Sequence, residues 1–236
     1  MISIVIPAHN ERQNLLHLLP SLELNSNGVV FEVIVVLSCD SMDGSENLEV
    51  SSHISFVRCK DRGRAVQMNT GAALAKGTIL AFLHADVKPP KTFLCDIENA
   101  LSGKYEAGFF SYQFDKKSFL LNINASFTGK DGIFTGGGDQ CLFIERSTFD
   151  LLGKFNERQI LMEDFEFFKR MKKNHILYTI VNSDLIVSAR KYETNSYLRV
   201  NLTNLLLVIL FKMGLPSNRL KFVHNALLNR DYQHKT

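Results

Sequence analysis

The sequence lacks tryptophan and has only four cysteines among its 236 residues. The cysteines lie far apart and form no C-x-x-C pair; they are Cys39, Cys59, Cys95 and Cys141. This spacing argues against a zinc site or a disulfide framework and favours a reducing compartment. Hydrophobic residues make up 45% of the chain, and its 18 phenylalanines can fill a core without tryptophan. We therefore expect one large folded domain, or one domain with an appendage.

A basic leader and a long apolar run are also missing. A strand begins almost at once, at Ile2–Ile6, with no basic residue before it, so no signal peptide is predicted. The apolar run over 205–211 is shorter than the roughly 20 residues that span a bilayer. The sequence predicts a cytoplasmic protein, with peripheral contact at the inner face of the cytoplasmic membrane left open.

Glycine is absent from the turn after the first strand, which runs from Pro7 to Glu11. A dinucleotide-binding fold places G-x-G-x-x-G at this turn, so a nicotinamide or flavin enzyme is disfavoured. A sugar-phosphate nucleotidyltransferase usually has a glycine-rich loop here and is disfavoured for the same reason. Asn10 is a candidate N-cap for the next helix, and Glu11 suits the positive end of that helix.

Short apolar strands alternate with helices through the first third of the chain. Four strands are predicted there, at 2–6, 31–37, 54–59 and 79–83. This alternation is typical of a parallel, doubly wound α/β sheet. Three further strands are predicted at 106–114, 176–181 and 185–189. Residues 115–135 show no readable pattern.

The strand over 79–83 is apolar throughout and ends in His84-Ala85-Asp86. In open α/β sheets, ligands bind beyond the carboxyl ends of the strands. An aspartate at such an end, with a second candidate ligand two residues earlier, suits a divalent metal that holds a diphosphate. The alternative is that Asp86 only caps the helix that follows.

Two further segments have residues suited to a ligand. Arg62 and Arg64 begin a helix, and arginines at a helix start suit phosphate groups. Three glycines at 136–138 precede Asp139 and Gln140. They either let the backbone approach a ligand closely or form a flexible loop.

Positive charge is concentrated at the C-terminal end. Residues 188–236 contain eight Lys or Arg against two acidic residues, so their net charge of +6 leaves −3 on the rest of a chain whose total is +3. This asymmetry favours an anionic or phosphate-bearing partner, or else marks a solvated basic face.

The motifs in their order resemble family 2 glycosyltransferases of the GT-A fold, over roughly 190 residues. The motifs are S-I-V-I-P-A-H-N-E at 3–11, D-S-M-D-G-S at 40–45, G-R-A-V-Q-M-N-T-G at 63–71, F-L-H-A-D at 82–86, G-D-Q-C-L-F at 138–143, E-D-F-E-F at 163–167 and S-A-R-K-Y-E at 188–193. The H-A-D form is similar to that of a subgroup of small bacterial transferases. The resemblance implies a Rossmann-like, mostly parallel sheet in a catalytic domain over 1–193, with a helical extension over 194–236.

The resemblance also implies roles for individual residues. Asp86 would ligate Mg2+ or Mn2+, and Asp164, preceded by Glu163, would be the catalytic base. Gly138, Asp139 and Gln140 would face the acceptor. The remaining residues would bind a UDP- or GDP-sugar donor; they are Pro7, Asn10, Glu11, Ser38, Asp40, Arg64, Asn69, His84, Ala85 and Arg190. The acceptor would be a glycan or a lipid-linked molecule, and no nucleic acid is expected.

Two positions depart from the pattern of the family. Ser38 stands where an acidic residue usually reads the base, and Asp40 is the candidate substitute. His84 replaces the first aspartate of D-x-D; imidazole binds Mn2+ but suits Mg2+ poorly, so His84 is a ligand, a supporting group or a packed residue. These departures keep open a degenerate module that binds a nucleotide sugar without transferring it.

The expected chemistry needs a neutralised leaving diphosphate and a base near the acceptor hydroxyl. One metal-binding carboxylate and one separate base suit a single displacement, hence inversion at the sugar carbon. Glu163 would raise the pKa of Asp164 by like-charge repulsion. The alternative is that both carboxylates only cap the next helix.

The C-terminal extension contains an apolar stripe at helical spacing: Leu202, Leu205, Leu206, Ile209, Leu210 and Met213. Basic residues flank it, which is typical of a helix that lies in a membrane interface. The alternatives are that the stripe packs on the domain or on a second subunit of a homodimer.

Overall fold

The computed structural model describes residues 1–132 and 134–228. Within them, eight strands form one sheet: β1 (Ile2–Ala8), β2 (Phe31–Leu37), β3 (Ile54–Arg58), β4 (Ile79–Phe82), β5 (Val87–Lys88), β6 (Ala107–Phe114), β7 (Leu142–Glu145) and β8 (Tyr178–Val187). The α-helices in the same residues are α1 (Arg12–Leu24), α2 (Arg64–Leu74), α3 (Phe93–Leu101), α4 (Phe119–Ser126), α5 (Arg146–Leu151), α6 (Glu163–Lys173), α7 (Lys191–Thr194), α8 (Tyr197–Lys212) and α9 (Ser217–Leu227).

The sheet has the strand order β3-β2-β1-β4-β7-β6-β8-β5. The first four strands in this order are parallel, as the sequence predicts. The short strand β7 then pairs antiparallel with both β4 and β6. β1 lies between β2 and β4, so the chain direction across the sheet reverses at β1. A switch point of this kind leaves a crevice at the carboxyl ends of its strands.

Two apolar clusters cover the two faces of the sheet. Ile4 and Ile6 of β1 belong to the cluster that also contains buried leucines of α1 and apolar residues of α3. Val5 points to the other face, where its cluster contains residues of α2, α5 and α6. This alternation follows from the two-residue period of a strand, and burial on both faces explains the continuous apolar run.

Helix α2 packs very closely on β1 through Gly71. A Cβ at Gly71 would come within 3.1 Å of Val5 Cγ2 and 3.0 Å of Val36 Cγ2, so any larger side chain would push the helix away. The small residues of α2 therefore fix the distance of its N-terminal Arg64 from the sheet.

The sequence prediction of two strands at 176–181 and 185–189 is wrong. One strand, β8, runs through both and pairs in parallel with β6. The register shifts between Phe110 and Tyr112 of β6, and this irregularity accommodates the polar residues that suggest a turn. Ser111 Oγ donates to Asp184 Oδ1 at 2.5 Å, so the polar stretch is held inside the sheet. The previously unreadable region contains α4.

The prediction that Asn10 caps α1 is also wrong. Asn10 has a positive φ of 55°, and its Oδ1 accepts from the Met42 N–H at 2.9 Å. The N-terminus of α1 is instead capped by Asp43, whose Oδ2 accepts from the Arg12 N–H at 2.7 Å. The cap thus comes from the loop after β2, which the local sequence around Asn10 does not reveal.

Helices α8 and α9 fall in the predicted C-terminal extension. No helix within the described part of the chain is long and apolar enough to cross a membrane. The end of the predicted basic extension, 229–236, which includes Arg230 and Lys235, lies outside the described residues.

Candidate active site

A cavity of about 330 Å³ opens at the carboxyl ends of β1 and β4. Eight of the residues singled out in the sequence line it: Pro7, Glu11, Arg64, His84, Ala85, Asp86, Asp139 and Arg190. They come from five separate segments, which the switch point of the sheet brings together. A larger groove of about 500 Å³ lies beside α3 and contains none of these residues.

One wall of the cavity holds an acidic pair around an arginine. Arg190 donates from Nη2 to Asp86 Oδ2 at 3.0 Å and lies 3.5 Å from Glu11 Oε1. Burial raises the pKa of Glu11, and the neighbouring charge of Asp86 adds to this effect. Arg190 therefore holds together two carboxylates that would otherwise repel each other, and its guanidinium is placed for an incoming anion.

Asp164 and Glu163 form a second acidic pair at the start of α6. The guanidinium of Arg64 lies 3.4 Å from the buried Glu163 carboxylate. Burial, and secondarily the charge of Glu163, raises the pKa of Asp164 to about 8. A carboxylate that binds its proton this tightly is a stronger base than an ordinary aspartate.

His84 lies between these two pairs. Its Nδ1 is 3.8 Å from Asp139 Oδ1, and Asp139 Oδ2 is 3.4 Å from Lys191 Nζ. Burial, together with the charge of Arg64, lowers the pKa of His84, so the imidazole is neutral at pH 7. Burial favours the protonated form of Asp139, but the surrounding basic groups, Lys191 first among them, together outweigh burial and lower the pKa of Asp139.

Gly138 lies against the side chains of Asp164 and His84. A Cβ at this position would lie 2.5 Å from Asp164 Oδ2 and 2.7 Å from His84 Cε1. Only the absence of a side chain allows the 3-10 turn over Gly138–Gln140 to pass so close to them. Gly138 thus allows a close approach of the backbone to two side chains of the site, while the predicted approach to a ligand stays a prediction.

We expect Gly138→Ala to lower any catalytic turnover at this site by about tenfold to a hundredfold, because it displaces Asp164 or His84 by a fraction of an ångström. The matched control is Gly137→Ala, whose Cβ would meet its nearest atom at 3.5 Å. Turnover assays and thermal melting of both variants check this. Equal activity of the two variants, with equal stability, would contradict the assigned contact.

The residues present fit a divalent cation that arrives with a diphosphate. Among residues 1–132 and 134–228, no group of three or more His, Cys, Asp or Glu is arranged to hold a metal by itself. Asp86 nevertheless lines the cavity with a quarter of its side chain exposed. Mg2+ is commonly bound by one or two carboxylates, with the other ligands supplied by phosphates and water.

Two predicted site residues have other contacts. Asn69 does not line the cavity; its amide donates to the Phe155 carbonyl and to Glu157, and it accepts from the Phe155 N–H. Gln140 is buried, donates to the Thr128 carbonyl and accepts from the Gly136 N–H. Both residues therefore fix loops of the site, and their predicted contacts with donor and acceptor stay predictions.

Ser38 and Asp40 lie outside the cavity, at the carboxyl end of β2. The hydroxyl of Ser38 donates to Asp40, and this bond lowers the pKa of Asp40. His9 Nδ1 and Arg62 Nη2 lie 3.4 and 3.0 Å from the same carboxylate. The aspartate two residues after Ser38 is thus ionised and held at the end of the strand, where the sequence places a base-reading group.

The sequence analysis did not single out several residues that line the cavity: Leu161, Val187, Ser188, Lys191, Val200, Asn204, His224 and Leu228. Four of them come from the last 40 residues of the chain, which makes the C-terminal helices a wall of the site. Ser188 and Lys191 could have been found, because both lie beside Arg190 in the S-A-R-K-Y-E motif. The others have no local signal.

Solved structures share this fold at low sequence identity. S. aureus TarS (residues 1–349) in complex with UDP-GlcNAc is 15% identical, with a TM-score of 0.63 over 98% of this chain and 72% of that one. The mannosyltransferase PcManGT from Pyrobaculum calidifontis, in complex with GDP-Man and Mn2+, is 16% identical, with a TM-score of 0.58 over 90% of this chain and 63% of that one. These likenesses confirm the predicted GT-A fold.

The comparison with curated proteins gives no match. The sequence profile of glycosyl transferase family 2 matches residues 3–136, more than half of the chain. This range includes the turn after β1, Arg64, the His84–Asp86 segment and the start of the glycine-rich segment. The chain therefore belongs to glycosyl transferase family 2, as its motifs predict.

Proposed function

We propose that this glycosyltransferase moves a hexose from a UDP- or GDP-sugar to an acceptor hydroxyl with inversion at the sugar carbon. One observation carries the proposal: the site has two carboxylates in different settings. Asp86 lines the cavity and is paired with Arg190, whereas Asp164 has a raised pKa and lies against Gly138 beside His84. One group suits the diphosphate and the other suits a proton transfer.

The residues divide the reaction between them. Asp164 takes the proton of the acceptor hydroxyl as the acceptor oxygen forms its bond to the sugar carbon. The bond from that carbon to the diphosphate oxygen breaks, and the diphosphate leaves with the electron pair. Arg190 and Arg64 offset the charge that develops on the leaving group. A single displacement of this kind inverts the configuration.

Asp86 would hold Mg2+ or Mn2+, with His84 either as a further ligand to Mn2+ or as a neutral group behind it. When bound, the cation supplies charge neutralisation to the diphosphate. A solved neighbour that contains GDP-Man and Mn2+ supports this assignment. Neighbours with UDP and UDP-GlcNAc support a uridine donor equally, so both donor classes belong in the test.

The experiment is a thermal-shift screen of UDP- and GDP-sugars with and without Mn2+, followed by an assay for release of nucleoside diphosphate. A donor at about 100 times its Kd adds about 2.7 kcal/mol of stability, which raises Tm by about 5 °C or more for a chain of this size. We expect this shift only with the metal present. Binding without transfer to any acceptor or to water would favour the module without activity, and release of pyrophosphate from a nucleoside triphosphate would favour a nucleotidyltransferase.

The acceptor remains a proposal of two classes, a glycan or a lipid-linked molecule. Val200 and Asn204 of α8 line the cavity, so the helix that bounds the site is the one with the predicted apolar stripe. The outer side of α8 is therefore the surface that would contact either the cytoplasmic face of a membrane or a second subunit of a homodimer.

A further inference from the structure

The apolar stripe of α8 points to solvent. Val200, Thr203, Leu207 and Val208 form the buried side of the helix. The opposite side exposes large apolar residues: Leu198, Leu202, Leu205, Leu206, Ile209 and Met213. Leu202 is 63% exposed and Met213 is 77% exposed. The alternative that this stripe packs on its own domain is therefore wrong for five of its six predicted residues.

Helix α4 adds a second exposed apolar stripe beside the first. Phe119 and Phe127 are 79% and 67% exposed, and Leu120 and Ile123 are exposed between them. Asn124 links the two helices, because its Nδ2 donates to Asn201 Oδ1 and its Oδ1 accepts from the Tyr197 hydroxyl, both at 2.8 Å. We call the exposed residues of α4 and α8 together the α4–α8 face.

The segments that carry this face contain positive charge only. Residues 116–130 and 194–228 include seven Lys or Arg and no Asp or Glu. All 24 acidic residues lie elsewhere in the chain, with the other 20 Lys and Arg. The cations are Lys116, Lys117, Lys130, Arg199, Lys212, Arg219 and Lys221. Lys116 pairs with Glu193, whereas the other six cations form no ion pair within the described residues. An apolar surface with such cations is complementary to an anionic surface.

We propose that the α4–α8 face binds the surface of an anionic lipid bilayer. The apolar side chains would enter the boundary between headgroups and acyl chains, and the lysines and arginines would meet the headgroups. A second copy of this chain fits the α4–α8 face less well than an anionic bilayer does. A two-fold interface would place the same face opposite itself, so the cations of both copies would meet with no acid in these segments to pair them.

In this proposal, one side of α8 lines the cavity and the opposite side contacts the bilayer. Its inner side lines the cavity through Val200 and Asn204, and an α-helix with its side chains is about 10 Å across. For the proposed transferase, on which this step rests, an acceptor with a lipid tail would reach the cavity without leaving the bilayer. The binding test below measures no turnover, so its failure is distinct from a failure of the proposed function.

The test is co-sedimentation of the full chain with vesicles of pure phosphatidylglycerol and of pure phosphatidylcholine. We expect binding to the phosphatidylglycerol vesicles that weakens as salt is added, because salt screens the lysines and arginines. Lys212→Gln should lower the partition coefficient about fivefold, since one basic residue near an anionic surface contributes that much. Equal binding to both vesicles, or binding to neither, would overturn the proposal.

Variants of both helices locate the surface. Leu202→Glu on α8 and Phe119→Glu on α4 should each lower binding about tenfold or more, because each removes an apolar side chain and adds a repelled charge. Leu24→Glu is the matched control, since Leu24 is 85% exposed on α1, outside the α4–α8 face. This variant should bind the vesicles as the wild type does. Thermal melting verifies that all three variants fold. An equal loss in Leu24→Glu, or light scattering that shows a dimer lost in Leu202→Glu without any vesicle binding, would overturn the proposal.

Discussion

Asp164→Asn is expected to lower kcat about a thousandfold while the Kd for the donor stays within about twofold of the wild type. The magnitude is that of a lost general base. Donor affinity is kept because Asp164 lies against Gly138 and does not line the cavity with Asp86 and Arg190, the residues assigned to the diphosphate. A change confined to turnover is what removal of an interaction made only in the transition state produces. Single-turnover kinetics and calorimetry with a nucleoside diphosphate measure the two quantities.

The control for this variant is Asp150→Asn, which removes an exposed carboxylate on α5 and should be fully active. The pH dependence of the wild type adds a further check. The base acts deprotonated, so kcat/KM should rise with pH up to about 8, following the raised pKa of Asp164, and not level off near pH 4. Parallel loss of donor affinity in Asp164→Asn would place this residue in the nucleotide pocket instead.

The same raised pKa predicts an effect on stability of the opposite sign. The folded state binds the proton of Asp164 more tightly than the unfolded state does, so ionisation weakens the fold as pH rises from 3.8 to about 8. Asp164→Asn removes this penalty and should raise Tm above pH 8 by at least about 2 °C, the effect of roughly 1 kcal/mol. The gain should vanish below the ordinary pKa of aspartate. A variant that loses both activity and stability above pH 8 would show a structural role instead.

Asp86→Ala is expected to abolish the difference that Mn2+ makes to the affinity for a nucleoside diphosphate, with a loss of at least about a hundredfold when the metal is present. Removal of groups that only support metal ligands already costs 10–100-fold, so loss of a ligand costs no less. Without metal, the affinity should stay equal or rise, because the lost carboxylate repels the diphosphate. Arg190 keeps a partner in Glu11, so the fold should persist.

Calorimetry with and without Mn2+ separates these outcomes. Asp96→Ala is a suitable control, because Asp96 is an aspartate on α3 outside the cavity. Unchanged metal-dependent affinity in Asp86→Ala would refute the assignment of this residue as the metal ligand. In that case Asp86 would serve only to orient Arg190.

The parts of the fold that the sequence predicts are those with a strong local pattern. The four parallel strands are apolar on both faces, and a buried strand of this kind needs no knowledge of its partners to be found. The placement of His84, Ala85 and Asp86 beyond such a strand was enough to locate the cavity, because open sheets bind ligands there. The sequence pattern predicts two strands where β8 is one, because Asn182, Ser183 and Asp184 are typical turn residues. Only the pairing with β6 shows that they lie within a strand.

Several contacts that the sequence analysis does not predict share one physical cause. Asn69 follows Arg64 in one motif and on one helix, yet its amide bonds to Phe155, 86 residues further on. Asp43 caps α1 from 31 residues after Arg12. The contribution of Asn204 to the cavity likewise brings α8 next to segments more than 100 residues earlier, such as the turn after β1. Contacts of this range depend on tertiary packing, which periodicity and spacing in the sequence do not report.

The loops after β1 and β2 are joined by several hydrogen bonds, and this bears on how a donor would be captured. Asp43 accepts from the Arg12 N–H, the Arg12 guanidinium donates to the Gly44 carbonyl, and Asn10 bonds to both Ser41 and Met42. Glu11 and Asp40, which belong to these two loops and are both assigned to the proposed donor, are thus carried by one preorganised unit. A nucleotide that binds there would not have to order these loops, so little conformational entropy would be lost and the encounter would not wait for a loop to close.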